Sequence, residues 1–452
     1  MPTPAEADVE AGTIRVLTRR LLPFLMLLYL VAYIDRANIS VAALQMNADL
    51  GLTARMYGWG AGLFYVTYIL FEVPSNVVLA QVGARRWIAR IMVTWGLVAC
   101  GLAFIQDATQ LYALRLLLGA AEAGFTPGII FYLSRWFPRR HRARAMAFFY
   151  VAAALASVVG LPLSGALLKL DGLAGFAGWR WLYFVEGLPA VLLGFVVLRR
   201  LPDAPGDARW LTVAQRDWLA GAIASETPTA PADRAGDWRR AFADGRVWLL
   251  SLFWLLQAFG TVGITLFLPQ IIKAMSGLGD FVSSLLAALP FVGAGVFMLL
   301  NSRHSDARHE RRLHLAGPMV AASVLLGLAL GVADARLAYA LLALAIACNW
   351  AATPVFWAST TEYLAGSAAA AASIALINAV ANFSGAGLPP LMGHLKDRSG
   401  SYTGGLVLVS VALLAGGVVA WFIRGAPAPE LEFLDNGNPP RRCCYQRETP
   451  PA

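Results

Sequence analysis

The sequence is poor in charged residues. Only 14% of its 452 residues are Asp, Glu, Lys or Arg, against about 25% in an ordinary soluble domain. Hydrophobic residues make up 58%. This balance excludes an ordinary soluble domain and favours a chain that lies largely in a membrane. A spanning helix takes about 20 apolar residues, so this length has room for about a dozen spans.

Cysteine is scarce, and the familiar enzyme signatures are missing. Cys100 and Cys348 fall inside apolar runs, and Cys443 and Cys444 are adjacent near the end of the chain. None has the spacing of a metal site, so we predict no metal; a redox or metal role for the adjacent pair is the less favoured alternative. Walker loop, Rossmann fingerprint, H-E-x-x-H and nucleophile elbow are all absent. The sequence therefore predicts no cofactor, no enzymatic activity and no ATP-driven transport.

The apolar residues are gathered into twelve runs. The first, from Leu21, is too long for the core of a cleaved leader, so we expect it to stay in the membrane. The polar, Pro-containing segment 201–245 is predicted to be a cytoplasmic linker that contains a short amphipathic helix at LTVAQRDWLA (211–220). It divides the chain into predicted halves at 1–200 and 246–424. The Pro-rich tail 425–452 is predicted to be disordered. The predicted spans are 21–45, 57–80, 88–106, 109–134, 144–168, 181–200, 246–272, 281–300, 313–333, 337–361, 371–394 and 403–424.

Arginine clusters predict the orientation. A net charge of +9 could indicate a nucleic-acid partner, but the arginines lie in short groups between apolar runs, as in the cytoplasmic loops of membrane proteins. If the chain crosses the membrane twelve times, every arginine group falls on the same side of the membrane. This predicts that both termini are cytoplasmic, that the chain lies in lipid and that it has no nucleic-acid partner. The Arg-, Ala- and Gly-rich composition suggests a GC-rich bacterial genome and hence an inner membrane. The groups are Arg15, Arg19 and Arg20; Arg85, Arg86 and Arg90; Arg135, Arg139, Arg140, Arg142 and Arg144; Arg199 and Arg200; and Arg303, Arg308, Arg311 and Arg312.

The halves repeat one another weakly. The fifth span ends in GLPLSGALLKLDG (160–172) and the eleventh in GLPPLMGHLKDRSG (387–400), and an Arg-Arg pair follows the second span of each half. Matched segments in corresponding positions of two halves are typical of secondary transporters. The sequence therefore predicts an all-α membrane protein of twelve transmembrane helices in two pseudo-symmetric six-helix bundles.

Asp35 and Arg36, in the run YIDRANIS, lie deep in the first predicted span. Charge inside a membrane is costly, so each such residue is a functional hypothesis. The Arg36 guanidinium can bind a carboxylate through two parallel hydrogen bonds. We expect Asp35 to pair with Arg36 when no anion is bound, or to carry a proton. The alternative is an ion pair that only locks the helices together.

Glu122, in RLLLGAAEAGFTPG, lies inside the fourth predicted span. Its charged form is costly away from water, so we predict that it binds and releases a proton. The alternative is a permanent salt bridge to Arg36 or Arg115. Arg115, on the same span, is expected to stabilise the bundle or the proton path.

A third group of intramembrane side chains is polar or aromatic. Amides at this depth can hydrogen-bond a bound anion or join two helices, and tyrosines can line a cavity or simply pack. Both interpretations stay open for Gln257, Asn349, Trp357, Asn378 and Asn382 on spans seven, ten and eleven, and for Tyr33, Tyr65 and Tyr68 on spans one and two. Glu72 and Glu186 are further intramembrane carboxyls, and Glu72 is expected to take a structural partner.

Four stretches carry a family resemblance: YIDRANIS (33–40), FEVPSNVVLAQVGARRW (71–87), RLLLGAAEAGFTPGIIFYLSRWFPRRHRARAMA (115–147) and SRHSDARHERRLH (302–314). With them the chain, over about residues 18–424, resembles the major facilitator superfamily and, within it, the anion:cation symporter family. The third stretch is the most specific, because it joins R-x-x-x-G, at Arg115 and Gly119, to E-A-G-F-x-P-G and a basic loop.

This resemblance implies two six-helix bundles around a central cavity and a monomeric importer of a small organic anion with protons. The substrates it implies are sugar acids, tartrate-like diacids, phthalates or aromatic acids. It places the anion contact on Arg36, protonation on Asp35 and Glu122, and further contacts on Gln257 and on Asn382 or, less favoured, Asn378. An exporter or sensor of the same fold, and less so a membrane-embedded enzyme, remain alternatives.

The chain departs from the superfamily's loop signature G-x-x-x-D-R-x-G-R-R. After the second span Asn76 and Ala80 stand at the first Gly and Asp positions. After the eighth span Asp306 is retained. We therefore expect Asp306 to be the better conformational latch, with Arg85 and Arg311 as the matching arginines of the two loops.

Overall fold

The computed structural model describes residues 4–226, 234–365, 367 and 369–423, and every regular element among them is helical. A helix that was not predicted, α1 (Pro4–Arg20), precedes the first span. The first half continues with α2 (Leu22–Asp49), α3 (Ala54–Val82), α4 (Ala84–Gly101), α5 (Ala108–Glu122), α6 (Phe125–Ser134), α7 (Arg139–Leu167) and α8 (Gly178–Arg200).

Two helices, α9 (Val213–Glu226) and α10 (Arg234–Ala243), occupy the segment predicted as a linker. The second half contains α11 (Gly245–Ala258), α12 (Ile264–Ser276), α13 (Asp280–Arg308), α14 (Arg312–Gly331), α15 (Ala335–Tyr363), α16 (Ala370–Ser399) and α17 (Thr403–Phe422). The tail 425–452, with Cys443 and Cys444, lies outside the described residues. The domain boundaries stay a prediction.

Eleven helical segments in the described part of the chain are long and apolar enough to cross a membrane. Helix α7 is of similar length, and its described apolar stretch runs from Leu155 to Leu170. Together they form the predicted set of twelve spans. Large apolar side chains such as Leu70, Leu192 and Val411 are exposed on the outside. In water such a surface would be unfavourable, whereas lipid is its natural solvent.

Each half packs as a bundle, and the contacts between the bundles repeat its symmetry. Helix α3, the second span of its half, packs on α16, the fifth span of the other half. Conversely α7, the fifth span, packs on α13, the second span of its half. In both contacts the second span of one half packs on the fifth span of the other half. The fold is therefore two pseudo-symmetric six-helix bundles.

The bundles meet at the end of the molecule opposite the arginine clusters, which we name the arginine-poor end. The Asp397 carboxylate accepts hydrogen bonds from the backbone N–H groups of Ala54 and Arg55, at 3.0 and 2.9 Å. Asn47 donates to Gln270 at 3.2 Å. These contacts join the end of α2 and the start of α3 to α12 and α16, so this end is closed.

Small residues bring the backbones into direct contact at this closure. A Cβ added to Gly58 on α3 would lie 2.2 Å from the Pro389 carbonyl oxygen on α16. One added to Gly393 on α16 would lie 2.1 Å from the Ala54 carbonyl oxygen. Any side chain at either position would force α3 and α16 apart.

Candidate functional site

An ion pair between the first and fourth spans is the centre of the site. The Arg36 Nε donates to the Glu122 Oε1 at 2.6 Å. The Glu122 side chain is fully buried, whereas the Arg36 side chain is 21% exposed. The Arg36 Nη2 is buried without a hydrogen-bond partner. One edge of the guanidinium fork is thus held by the protein, and one nitrogen remains for another acceptor.

Aromatic rings surround this guanidinium. Its carbon lies 4.9 Å from the ring centroid of Tyr68, 5.4 Å from that of Tyr33 and 5.9 Å from that of Phe64. Such distances are those of cation–π contacts. The rings hold Arg36 in place without neutralising its charge, so it can still attract an anion. Tyr33 and Tyr68, two of the candidate tyrosines, therefore lie beside Arg36, and their contact with a substrate stays a prediction.

The fourth span is broken next to Glu122. Helix α5 ends at Glu122, Gly124 has φ of +86°, and α6 begins at Phe125. That left-handed conformation favours glycine, and a Cβ there would lie 2.3 Å from the Ser75 Oγ. Interrupted helices near mid-membrane are typical of transporter binding sites. The sequence analysis did not predict this break, although the Gly and Pro residues of EAGFTPG are typical of helix interruptions.

Asp35 does not pair with Arg36, so that expectation was wrong. Neighbouring residues on an α-helix point about 100° apart, and the Asp35 carboxylate turns into the bundle, where it is 2% exposed. Its Oδ1 accepts from the Asn38 Nδ2 at 3.1 Å, and its Oδ2 has no partner.

Arg115 and Glu72 differ in their surroundings. The buried Arg115 Nε donates to the Gly60 carbonyl oxygen at 3.0 Å, and its guanidinium lies 4.8 Å from the Phe64 ring centroid. Arg115 therefore joins α5 to α3, as expected of a residue that stabilises the bundle.

Glu72 forms no ion pair among the described residues, contrary to the expected structural partner.

A buried Glu–Ser pair was overlooked by sequence reasoning. The Glu186 Oε1 on α8 accepts from the Ser164 Oγ on α7 at 2.7 Å, and its Oε2 has no partner. Glu186 was recognised as intramembrane, but the helix that faces it could not be read from the sequence.

In the second half, Gln257 and Asn349 join helices. The buried Gln257 amide donates to the Asn349 carbonyl oxygen at 3.0 Å and to the Thr353 Oγ1 at 2.7 Å. Asn349 donates to Thr261 at 3.1 Å, within the π-helical turn between α11 and α12. These bonds match the helix-joining alternative; contact between Gln257 and a ligand stays a prediction.

The other candidates of the second half are half-buried and grouped around Trp254. Its ring stacks on Phe356 at 4.7 Å and lies edge-on to Trp357 at 5.2 Å. The Trp254 indole N–H donates to the Asn378 Oδ1 at 3.3 Å. Asn382, one turn further along α16, forms no hydrogen bond within the described residues. This group offers aromatic faces and amide groups but no charge.

The sequence profile of the Major Facilitator Superfamily matches residues 25–389. The chain belongs to this superfamily. It is also 44% identical over 427 residues to a "Putative tartrate transporter" of Agrobacterium vitis, covering 94% of this chain and 97% of that relative. It is 38% identical over 416 residues to a "Quinolone resistance transporter" of Acinetobacter baumannii, covering 92% and 96%. The chain is thus a multi-pass membrane transporter, not an enzyme.

A solved major facilitator structure has the same fold. It is the bacterial homolog of the human lysosomal transporter Spinster, in an inward-facing and unoccupied conformation. It superposes with a TM-score of 0.74 at 17% identity, covering 95% of this chain and 100% of that one.

The two superfamily loops are built differently in this major facilitator. After α13, Arg311 contacts the carboxylates of Asp306 at 2.5 Å and Glu362 at 2.6 Å. The hydrogen bond to Glu362, and then that to Asp306, raises the pKa of the Arg311 guanidinium. After α3, Arg85 contacts Asp203 at 3.1 Å. Asp306 and Arg311 are brought together, whereas Arg85 belongs to a separate contact with the end of α8.

Proposed function

We propose that this chain imports a small organic anion together with protons by alternating access. The observation that carries this proposal is the Arg36–Glu122 pair. The Arg36 side chain is partly exposed, and its buried Nη2 atom has no hydrogen-bond partner. A substrate carboxylate would bind Arg36 through the planar fork and compete with Glu122 for it.

The proposed substrate class rests on the candidate groups of the second half together with Arg36. The second half contributes the faces of Trp254 and Trp357 and the amides of Asn378 and Asn382, all half-buried. Such groups bind hydroxyls or a second carboxylate without adding positive charge. A hydroxylated carboxylate fits this arrangement, and the name of the Agrobacterium vitis relative supports a tartrate-like acid.

Proton coupling follows from the exchange of partners. Once the substrate carboxylate binds Arg36, the buried Glu122 carboxylate has no cation beside it. Protonation of Glu122 then avoids the free-energy cost of a buried, unpaired charge. An anion entering against a negative-inside potential is opposed by about 2.3 kcal/mol per charge per 100 mV. One proton carried for each charge of the anion, two for a dianion such as tartrate, removes this opposition, and a further proton lets the potential drive uptake. Asp35 is the second candidate carrier.

We place the arginine-rich end, with both termini, in the cytoplasm of a bacterial inner membrane, and we take the monomer as the working unit. The arginine clusters support this orientation. A periplasm-dependent reporter fused after residue 424 should be inactive, and a cytoplasm-dependent one active. The reverse result would overturn the orientation.

Export is the second candidate, because one relative is named for quinolone resistance. A sensor of the same fold is a further alternative. The purified protein in liposomes separates them. With an inward proton gradient, we expect labelled tartrate to accumulate and to exchange for itself in counterflow, while a quinolone does neither. Proton-driven movement of the quinolone alone would favour export, and counterflow of neither compound by the wild type would leave a sensor.

A further inference from the structure

The first bundle contains a second group of buried carboxyls beside the Arg36–Glu122 pair. It consists of Asp35 and Asn38 on α2, Ser164 on α7 and Glu186 on α8. None of the four is more than 5% exposed. Three of its oxygens are buried without a hydrogen-bond partner: Asp35 Oδ2, Asn38 Oδ1 and Glu186 Oε2. Buried acceptors normally have a hydrogen-bond partner, and a proton on one of these carboxyls would turn one acceptor into a donor.

The charges of the bundle lead to the same conclusion. Among the described residues, the interior of the bundle contains three buried carboxyls, those of Asp35, Glu122 and Glu186, and the half-buried Glu72, against the two guanidinium groups of Arg36 and Arg115. Arg36 is engaged by Glu122, and Arg115 acts on Asp35 at longer range. Among the described residues Glu186 contacts no basic side chain. A buried carboxylate without a cation is strongly unfavourable, so a proton is needed there.

The surroundings of Glu186 are otherwise uncharged. Ser164 faces it from α7, and Asp35 lies within electrostatic range on α2. On α4, Cys100 packs against Gly187, the next residue of α8. Tyr183, one turn earlier on α8, places a buried hydroxyl without a partner beside the group. Asp35 is thus the ionisable carboxyl with which Glu186 can exchange a proton, with Asn38 beside both.

We propose that Glu186 and Asp35 form a second proton-binding site, bridged by Asn38, that carries one proton per transport cycle. This inference rests on the proposed anion–proton symport. The step is a proton transfer alone. The proton comes from water on one side, is held on the free Glu186 oxygen in reach of Asp35, and is released to water on the other side.

The test is the proton-to-substrate ratio of purified protein in liposomes. With the tartrate gradient fixed and the membrane potential clamped at zero, the pH gradient is varied until net tartrate flux is zero, which gives the ratio. We expect Glu186→Gln to carry one proton fewer per tartrate than the wild type. Glu186→Asp should keep the wild-type ratio, as should Tyr183→Phe, a matched change that removes a buried hydroxyl from the same helix. An unchanged ratio in Glu186→Gln would overturn the proposal.

Infrared spectroscopy gives an independent measurement if Glu186→Gln fails to fold. The substrate-free wild type near neutral pH should show the C=O stretch of a protonated carboxylic acid. Ser164→Ala, which removes the hydrogen bond to Glu186, should shift this band. Absence of the band, or a band that Ser164→Ala leaves unmoved, would count against Glu186.

The controls separate this inference from the proposed function. If wild-type tartrate flux is the same with and without a pH gradient, proton symport itself is refuted. Proton-coupled wild-type flux with the same ratio in Glu186→Gln would refute only the second proton site. Flux that requires sodium in place of protons would put a metal ion among these oxygens and overturn the proposal as well.

Discussion

Arg36 has one charge and two possible acceptors. In the structure the Arg36 Nε donates a hydrogen bond to the Glu122 Oε1 at 2.6 Å, while the Arg36 Nη2 has no hydrogen-bond partner. In the proposed mechanism a substrate carboxylate competes with this fully buried side chain for Arg36. The proposed competition joins anion binding to proton binding without contact between the two ligands.

We predict that Arg36→Ala abolishes tartrate uptake and that Arg36→Lys retains little of it. A charge-assisted hydrogen bond contributes about 1.5–3 kcal/mol, so tartrate affinity should fall by about tenfold or more. An ammonium lacks the planar fork, which is why lysine should not restore binding. Uptake and equilibrium binding in liposomes measure both effects. Arg336→Lys, at the exposed start of α15, is the matched control, and wild-type affinity in Arg36→Ala would remove Arg36 from the binding site.

Glu122→Gln should uncouple transport. The amide cannot ionise, so it mimics the protonated carboxyl throughout the cycle. We expect tartrate counterflow to persist but accumulation against a gradient to be lost. Uptake with an imposed pH gradient, beside counterflow without one, separates the two. Accumulation equal to that of the wild type would assign coupling to another group.

The sequence singled out the candidate residues of the site, but not how they are paired. Depth in an apolar run singles out Arg36 and Glu122, because charge there is costly whatever the fold. The partner of Arg36 depends on the rotation of α2 and on where α5 ends, and neither is encoded locally. The Glu186–Ser164 contact joins two spans whose relative rotation only the packed bundle determines.

At the scale of elements, the interrupted fourth span positions Glu122. The final turn of α5 places this residue opposite Arg36, and Gly124 redirects the chain into α6. The Ser75 hydroxyl on α3 lies against Gly124 and accepts a hydrogen bond from the Trp87 indole at 3.0 Å. The break is thus packed from the side and held in one geometry.

Gly124→Ala should impair transport by disturbing this break. The added Cβ meets Ser75 at 2.3 Å and also disfavours the left-handed backbone. Strain and overpacking each amount to about 1–3 kcal/mol, so we expect a lower melting temperature and at least about a fivefold loss of uptake. Ser75→Gly in the same chain should restore part of it, by relieving the contact but not the backbone strain. Gly317→Ala on α14, where a Cβ meets nothing within 4 Å, is the control; wild-type behaviour of Gly124→Ala would show that the break tolerates a side chain.

Asp306→Asn should slow the transport cycle more than it weakens binding. The Asp306 side chain is 64% exposed, so its ion pair with Arg311 contributes at most about 1 kcal/mol. We therefore expect the turnover rate to fall by no more than about fivefold, with an unchanged tartrate dissociation constant. Asp217→Asn, an exposed carboxylate on α9, is the comparison. A changed dissociation constant at normal turnover would contradict the latch role.

The spans were predictable because the membrane sets their length and hydrophobicity. The structure extends most of them by a few residues, as at α2, since polar residues continue a helix beyond the apolar core. Helix α1 was not predicted, because it is a polar helix that packs against α9 rather than an apolar run.

The whole molecule is closed at its arginine-poor end. Under the proposed orientation this is the periplasmic side, so the structure corresponds to a transporter closed to the outside. The closure depends on the approach of α3 to α16 at Gly58 and Gly393. Under the proposed alternating access, these contacts separate and re-form in each cycle.

Gly58→Ala should shift the protein towards the state that is open at this end. The added methyl group lies 2.2 Å from the Pro389 carbonyl oxygen, and overpacking costs about 1–3 kcal/mol, which corresponds to about a tenfold change in population. A cysteine introduced at Asn47, inside the closure, should react faster with a membrane-impermeant maleimide added from the arginine-poor side. Gly295→Ala on α13, where a Cβ has open space, should leave the rate unchanged. Equal rates in both variants would show that this contact does not control opening.

The closure has a consequence for how such transporters diversify. It is made by close backbone approaches at Gly58, Pro389 and Gly393, whereas the proposed substrate contacts are made by side chains. Substitutions that change the cargo can therefore accumulate in the cavity while the moving joint stays intact. The same fold can in this way change its substrate specificity while the contact between α3 and α16 that closes one end is kept.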